Sequence, residues 1–164
     1  MLHAVQGRFS VAALLLAWVL ALGLARPAHA ADAAPAACKA GQTDDTLRLL
    51  PPALVPAARQ AFGLSASMPD ALIQQTTVYR CDAGKTLMCT AGANLPCGPA
   101  DTAKTSDSAN EWCASHANAS FVPAFVTGHT TAYEWSCRGT KAVPGKEATL
   151  DDRGFFQDYW KPAP

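Results

Sequence analysis

Six cysteines, all downstream of a single apolar stretch, constrain this chain more than any other feature. They are Cys38, Cys81, Cys89, Cys97, Cys113 and Cys137. The stretch runs from Val11 to Leu24, follows Arg8, and precedes Ala28-His29-Ala30, the small-x-small pattern after which signal peptidases cut. It is shorter than the roughly 20 residues a membrane span requires. Residues 1–30 therefore read as a cleaved secretory signal, and the mature chain as a periplasmic or secreted protein. An even number of cysteines in an oxidising compartment predicts three disulfides. Each stabilises by about 2–4 kcal/mol, chiefly by restricting the unfolded chain.

Rival uses of the cysteines fit less well. No C-x-x-C pair occurs, and successive spacings of 8, 8, 16 and 24 from Cys81 onward match no zinc signature. Cys113-x-x-His116 would place two ligands on one helical face, but Cys113 is more simply half of a disulfide. Haem attachment of the c type requires C-x-x-C-H, which is absent. Pro35-Ala36-Ala37 before Cys38 lacks the leucine expected three residues ahead of a lipidated cysteine, and lipidation would leave an odd cysteine. No metal and no cofactor is expected.

Charge narrows the partners. Without Arg8 and Arg26 the chain keeps 11 basic and 13 acidic residues, a net charge of −2. A near-neutral chain with no basic cluster is ill suited to neutralising phosphates, so no nucleic-acid partner is expected. No second apolar run of membrane length occurs, so no membrane span is expected. What remains is one domain large enough to bury a modest core.

Local patterns predict an α+β fold: short N-terminal helices, then a small antiparallel β-sheet with one crossing helix. Residues 31–50 read as a flexible Ala/Pro-rich segment and 51–164 as the domain. Leu54, Ala58, Ala61 and Phe62 recur at helical spacing before Gly63, with Pro52 and Pro56 in the opening turn where N–H groups lack partners anyway. A second short helix runs from Pro69-Asp70 to Gln74. Thr76 to Cys81 and Lys85 to Thr90 then form a hairpin across Asp82-Ala83-Gly84. A three-residue turn sets Cys81 opposite Lys85, Tyr79 opposite Leu87 and Thr77 opposite Cys89. Cys81 and Cys89 would then lie about 13 Å apart along the ladder. Disulfides need α-carbons within about 7 Å, so these two should not pair. The other pairings stay open.

Further on, Ser108-Ala109-Asn110-Glu111 matches a capping box for a helix running to about His116, with Trp112 and His116 on one side. Strands are expected at Phe121–Thr127, Thr130–Cys137 and Thr140–Val143, the first an edge or broken at Pro123. Asp151-Asp152 is expected to open a last helical turn carrying Phe155, Phe156, Tyr159 and Trp160. The acid pairs Asp44-Asp45 and Asp151-Asp152 both read as helix-start charges.

Few groups suited to catalysis survive cleavage, since only His116 and His129 remain of the histidines. His129, in a Gly-His turn, together with Glu134 and Ser136 on the following strand, is the one grouping that would support a small hydrolase. A turn histidine exposed at the surface is the simpler reading. His129, Tyr133, Trp135, Phe155, Phe156, Tyr159 and Trp160 make up the candidate binding surface; the C-terminal aromatics either dock the chain end on the sheet or line a groove.

Val78-Tyr79-Arg80-Cys81-x-x-Gly84-Lys85, Gly92-Ala93-Asn94-Leu95-x-Cys97-Gly98, Thr127-Gly128-His129 and Tyr133-x-Trp135-x-Cys137-x-Gly139 together resemble an uncharacterised family of small exported six-Cys bacterial proteins. That resemblance covers about Thr76 to Trp160 and implies no activity. Tyr79-x-Cys81 with Gly84 is also similar to the early strand of periplasmic inhibitors of C-type lysozyme. The Ser-Gly-x-x-Tyr inhibitory loop of those proteins is missing here. The expected function is a non-catalytic binding module, inhibitor-like in its most concrete form, whose partner is another exported protein or a cell-envelope component. A hydrolase using His129, or an accessory subunit of a periplasmic complex docking through its C-terminal aromatics, is the alternative.

Overall fold

The computed structural model describes residues 37–92 and 95–164, so the leader expected at residues 1–30 lies outside the described residues. In chain order the elements are β1 (Asp44–Leu49), a 3-10 turn (Pro52–Leu54), α1 (Val55–Phe62) and α2 (Asp70–Thr76). The hairpin β2 (Thr77–Asp82) and β3 (Lys85–Thr90) follows. Then come α3 (Asp107–Ser115), the single turn α4 (Ala124–Thr127), a second hairpin of β4 (Tyr133–Arg138) and β5 (Lys141–Glu147), a 3-10 turn (Gln157–Tyr159) and β6 (Lys161–Pro162). The chain is α+β and stapled by three disulfides, Cys38–Cys81, Cys89–Cys97 and Cys113–Cys137. Its strands form two antiparallel sheets where one was expected: β1-β2-β3-β6 and β4-β5.

The central hairpin shows how backbone chemistry sets register. Its turn is two residues long, Ala83-Gly84, with φ of 47° and 83°. Positive φ at both centres matches the twist of the flanking strands, and Ala83 accepts the left-handed conformation despite its Cβ. Gly84 has no such latitude: a Cβ there would stand 2.6 Å from the Gly41 backbone nitrogen. Cys81 therefore faces Thr86, Tyr79 faces Met88 and Val78 faces Cys89, one residue off the three-residue-turn register. A one-residue slip exchanges faces. Tyr79 and Met88 join the core of α1 and α2, while Val78, Leu87 and Cys89 meet Phe155 and Trp160. Cys81 and Cys89 are not partners, as expected, and the reason is stronger than distance: they point to opposite faces of the sheet.

Helices α1 and α2 stand close to where the sequence puts them. Leu54, Val55, Ala57 and Ala58 pack on Ile73 and Met88 in one core. Each fully buried aliphatic side chain of this kind is worth roughly 1.5–3 kcal/mol. Helix α3 starts two residues earlier than the capping box implied. Ser106 is the cap, its Oγ accepting the Ala109 N–H at 3.2 Å, and Asp107 occupies the first turn. Ala109 and Cys113 of α3 pack against Tyr133, Trp135 and Cys137 of β4 in a second core.

Three further expectations change. Asp44–Leu49, read as part of a flexible segment, is a strand beside β2, with Arg48 opposite Tyr79 and Leu49 opposite Val78. Tertiary contacts capture it: Cys38 bonds Cys81, and Asp45 pairs with Arg80. Phe121–Thr127 is not a strand. Pro123 opens the turn α4 instead, and only the residues before it run along β4, Cys137 N–H donating to Ala119 and Val122 N–H to Trp135. Asp151-Asp152 does not start a helix. Asp151 Oδ1 accepts the N–H of Arg153 and of Phe155, and Gly154 at φ 81° reverses the chain. A short carboxylate bonding its own downstream backbone is a standing competitor of helix.

That reversal builds the interior of the first sheet's other face. Arg80 is fully buried, with its guanidinium carbon 4.1 Å from the Phe155 ring centre and 4.8 Å from that of Trp160. Asp151 and Asp45 neutralise it, and Arg153 pairs with Asp45 from the surface.

Candidate functional site

Strand β4 alternates strictly. Tyr133, Trp135 and Cys137 turn inward, and Glu134, Ser136 and Arg138 turn outward, the period-two rule at work. Two clefts flank its start. The first, of about 330 Å³, is lined by His129, Tyr133, Glu134, Glu147, Phe156 and Tyr159, with Lys146 and Asp158 at its charged side. The second, of about 420 Å³, is lined by Phe121, Val122, Thr127, Trp135 and Ser136. Thr131, Tyr133 and Glu134 belong to both, so the clefts share one wall.

Hydrogen bonds hold that wall. Tyr133 OH donates to Glu147 Oε1 at 3.2 Å, fixing the carboxylate without neutralising it. Trp135 Nε1 donates to Thr131 Oγ1 at 2.9 Å, and the Tyr133 and Trp135 rings meet edge to face at 6.4 Å. Behind them the Cys113–Cys137 bond ties β4 to α3. The wall is thus anchored from the strand, the helix and the turn.

His129 lines the first cleft and Ser136 the second, with Glu134 between them. Glu134 and Ser136 do share the outward face of β4. His116 stands apart at the end of α3, stacked on Trp112 at 4.0 Å, its Nδ1–H donating to the Trp112 carbonyl. Its neighbour Cys113 is consumed by the disulfide, which closes the Cys-x-x-His metal reading. Among the described residues no three His, Cys, Asp or Glu side chains converge on a metal position, and no helix is long and apolar enough to cross a membrane.

The candidate binding surface divides in two. His129, Tyr133, Phe156 and Tyr159 line the first cleft and Trp135 the second. Phe155 and Trp160 are buried around Arg80, and Tyr133, Trp135 and Phe156 are equally buried behind the cleft walls, which leaves Tyr159 as the one partly exposed aromatic of the group. Without a terminal helix the aromatics pair differently: Phe155 with Trp160, and Phe156 with Tyr159. Docking the chain end and lining a groove are therefore both served, by different rings.

Sequence reasoning missed Phe121 and Phe125, which are 64% and 81% exposed beside the second cleft. A signal existed: from Ala117 to Ala132 the chain has no Asp, Glu, Lys or Arg, an uncharged stretch with both phenylalanines close to Pro123. Arg80, Asp45 and Asp151 were also missed, and no local pattern announces their pairing. Comparison with family models, curated proteins and solved structures finds no match to this chain.

Proposed function

We propose that this chain is an exported, non-catalytic binding module of the periplasm or extracellular space, and that its ligand-facing surface is the pair of clefts on either side of Glu134. One observation carries the reading: two adjoining clefts share a wall braced by hydrogen bonds and a disulfide. A braced surface loses little conformational freedom on binding, which favours affinity. Three disulfides suit the oxidising compartment that this role assumes. The partner class is another exported protein or a cell-envelope component, and inhibition of a C-type lysozyme is its most concrete version.

The test is an NMR titration of the isotope-labelled mature protein with C-type lysozyme and with soluble peptidoglycan fragments, run beside product analysis. Saturable shifts at His129, Glu134 and Tyr159 without product support the proposal. Accumulating product that disappears in His129→Ala, at unchanged melting temperature, overturns it in favour of a hydrolase. A lysozyme turbidity assay at micromolar protein decides the inhibitor version, which falls if no protection is seen.

A further inference from the structure

Charge in and around the two clefts is distributed unevenly. Glu134, Glu147 and Asp158 line the first against a single Lys146, which leaves a formal excess of two negative charges. None of the three acids takes part in an ion pair among the described residues, as is true of most acids outside the Asp44, Asp45, Asp70 and Asp151 pairs. The first cleft also presents the partly exposed Tyr159, with the buried Phe156 ring 5.2 Å from it. Carboxylates beside aromatic faces suit a cation, which gains both charge pairing and attraction to the ring. The second cleft lacks ionised side chains apart from the shared Glu134, and Phe121 and Trp135 line it.

Resting on the binding-module reading, we infer that the joined clefts take a peptide segment in which a basic side chain neighbours an apolar one. The basic side chain enters the half bounded by Glu147 and Asp158, and the apolar one lies against the exposed Phe121. Shared lining by Thr131, Tyr133 and Glu134 lets one short segment reach both halves. Strand addition along the outer edge of β4 is not the mode of capture, because the Ala119 to Val122 backbone already occupies that edge. Recognition is therefore through side chains, by charge in one cleft and apolar contact in the other.

The probes are acetylated, amidated tetrapeptides Gly-Arg-Leu-Gly, Gly-Glu-Leu-Gly and Gly-Arg-Ser-Gly, titrated into the mature protein by NMR at low and high salt. The Arg-Leu peptide is expected to give saturable shifts at Glu134, Tyr159 and Trp135. Replacing its Arg by Glu, or its Leu by Ser, weakens binding by about tenfold or more, and salt weakens only the peptides carrying Arg. The double variant Glu147→Gln, Asp158→Asn weakens the Arg-Leu peptide by about tenfold, and Phe121→Ser does so without changing the melting temperature. Equal or better binding of the Glu-Leu peptide overturns the inference. So does failure of the Arg-Leu peptide while a lysozyme or a peptidoglycan fragment binds the same clefts, and that outcome leaves the binding-module reading standing.

Discussion

Arg80 has no exposed surface, lies over the rings of both Phe155 and Trp160, and meets two carboxylates from distant parts of the chain. Burying a guanidinium is costly unless its charge is compensated, and here Asp45, Asp151 and two ring faces compensate it. Its Nε and Trp160 Nε1 are the two buried side-chain donors without a partner among the described residues. Removing one member of a buried ion network leaves the others desolvated, so Arg80→Ala should destabilise by about 3–5 kcal/mol in urea unfolding. Arg153→Ala should cost far less, because Arg153 reaches Asp45 from the surface, where water replaces it. Equal losses for the two variants would mean that burial is not what gives Arg80 its weight. At this scale the sequence announced the cysteines, whose chemistry depends on compartment, but not Arg80, which reads as an ordinary outward strand residue. It also offered His129 with Glu134 and Ser136 as a grouping, since the sequence does not reveal how the turn carrying His129 sits against the outward face of β4.

Elements were legible where their causes are local. Helix α1 follows from apolar spacing and early prolines, and the β2–β3 hairpin from β-branched runs around a Gly turn. Boundaries moved where two local signals compete. The capping box placed the start of α3 at Ser108, yet the backbone settles on Ser106, whose extended φ of −144° frees its hydroxyl to reach the Ala109 N–H. Ser106→Ala should therefore cost about 1 kcal/mol by thermal or urea melting, and Ser108→Ala a few tenths at most, roughly. The reverse order would restore the Ser108 capping box. Strand β1 needed tertiary partners to form, yet it carries its own edge protection. The Thr46 N–H donates to Asp44 Oδ1, and Arg48 donates to the Thr46 carbonyl and to Asp44. That Thr46 amide, with Arg48 beside it, holds the Asp44 carboxyl at a pKa of about 2. A bulge between Asp44 and Arg48 further spoils the strand as a template for another chain.

Across the whole molecule the disulfides distribute their restraint by the loops they close. The separations are 43 residues for Cys38–Cys81, 24 for Cys113–Cys137 and 8 for Cys89–Cys97. Loop-closure entropy then assigns them about 4, about 3.5 and about 2.5 kcal/mol. Paired Cys→Ser variants should lose stability in that order, with the Cys38/Cys81 variant also releasing β1 to proteolysis. If the Cys89/Cys97 variant proved the least stable, the chain-entropy ranking would fail. The number of staples, the first two helices and the existence of the central hairpin were determined by sequence alone, because each depends on residue chemistry or on spacing within a few positions. Tertiary structure decided the disulfide pairing, the strand at Asp44–Leu49, the burial of Phe155 and Trp160 around Arg80, and the division of His129 and Ser136 between two clefts. Apart from the Cys89–Cys97 bond, which spans 8 residues, the contacts behind the first three join distant parts of the chain, with separations of 35, 71 and 108 residues in the Asp45–Arg80–Asp151–Arg153 network, and no local periodicity encodes them. The division between clefts arises differently, from a strand face and a preceding turn whose relative placement only packing sets.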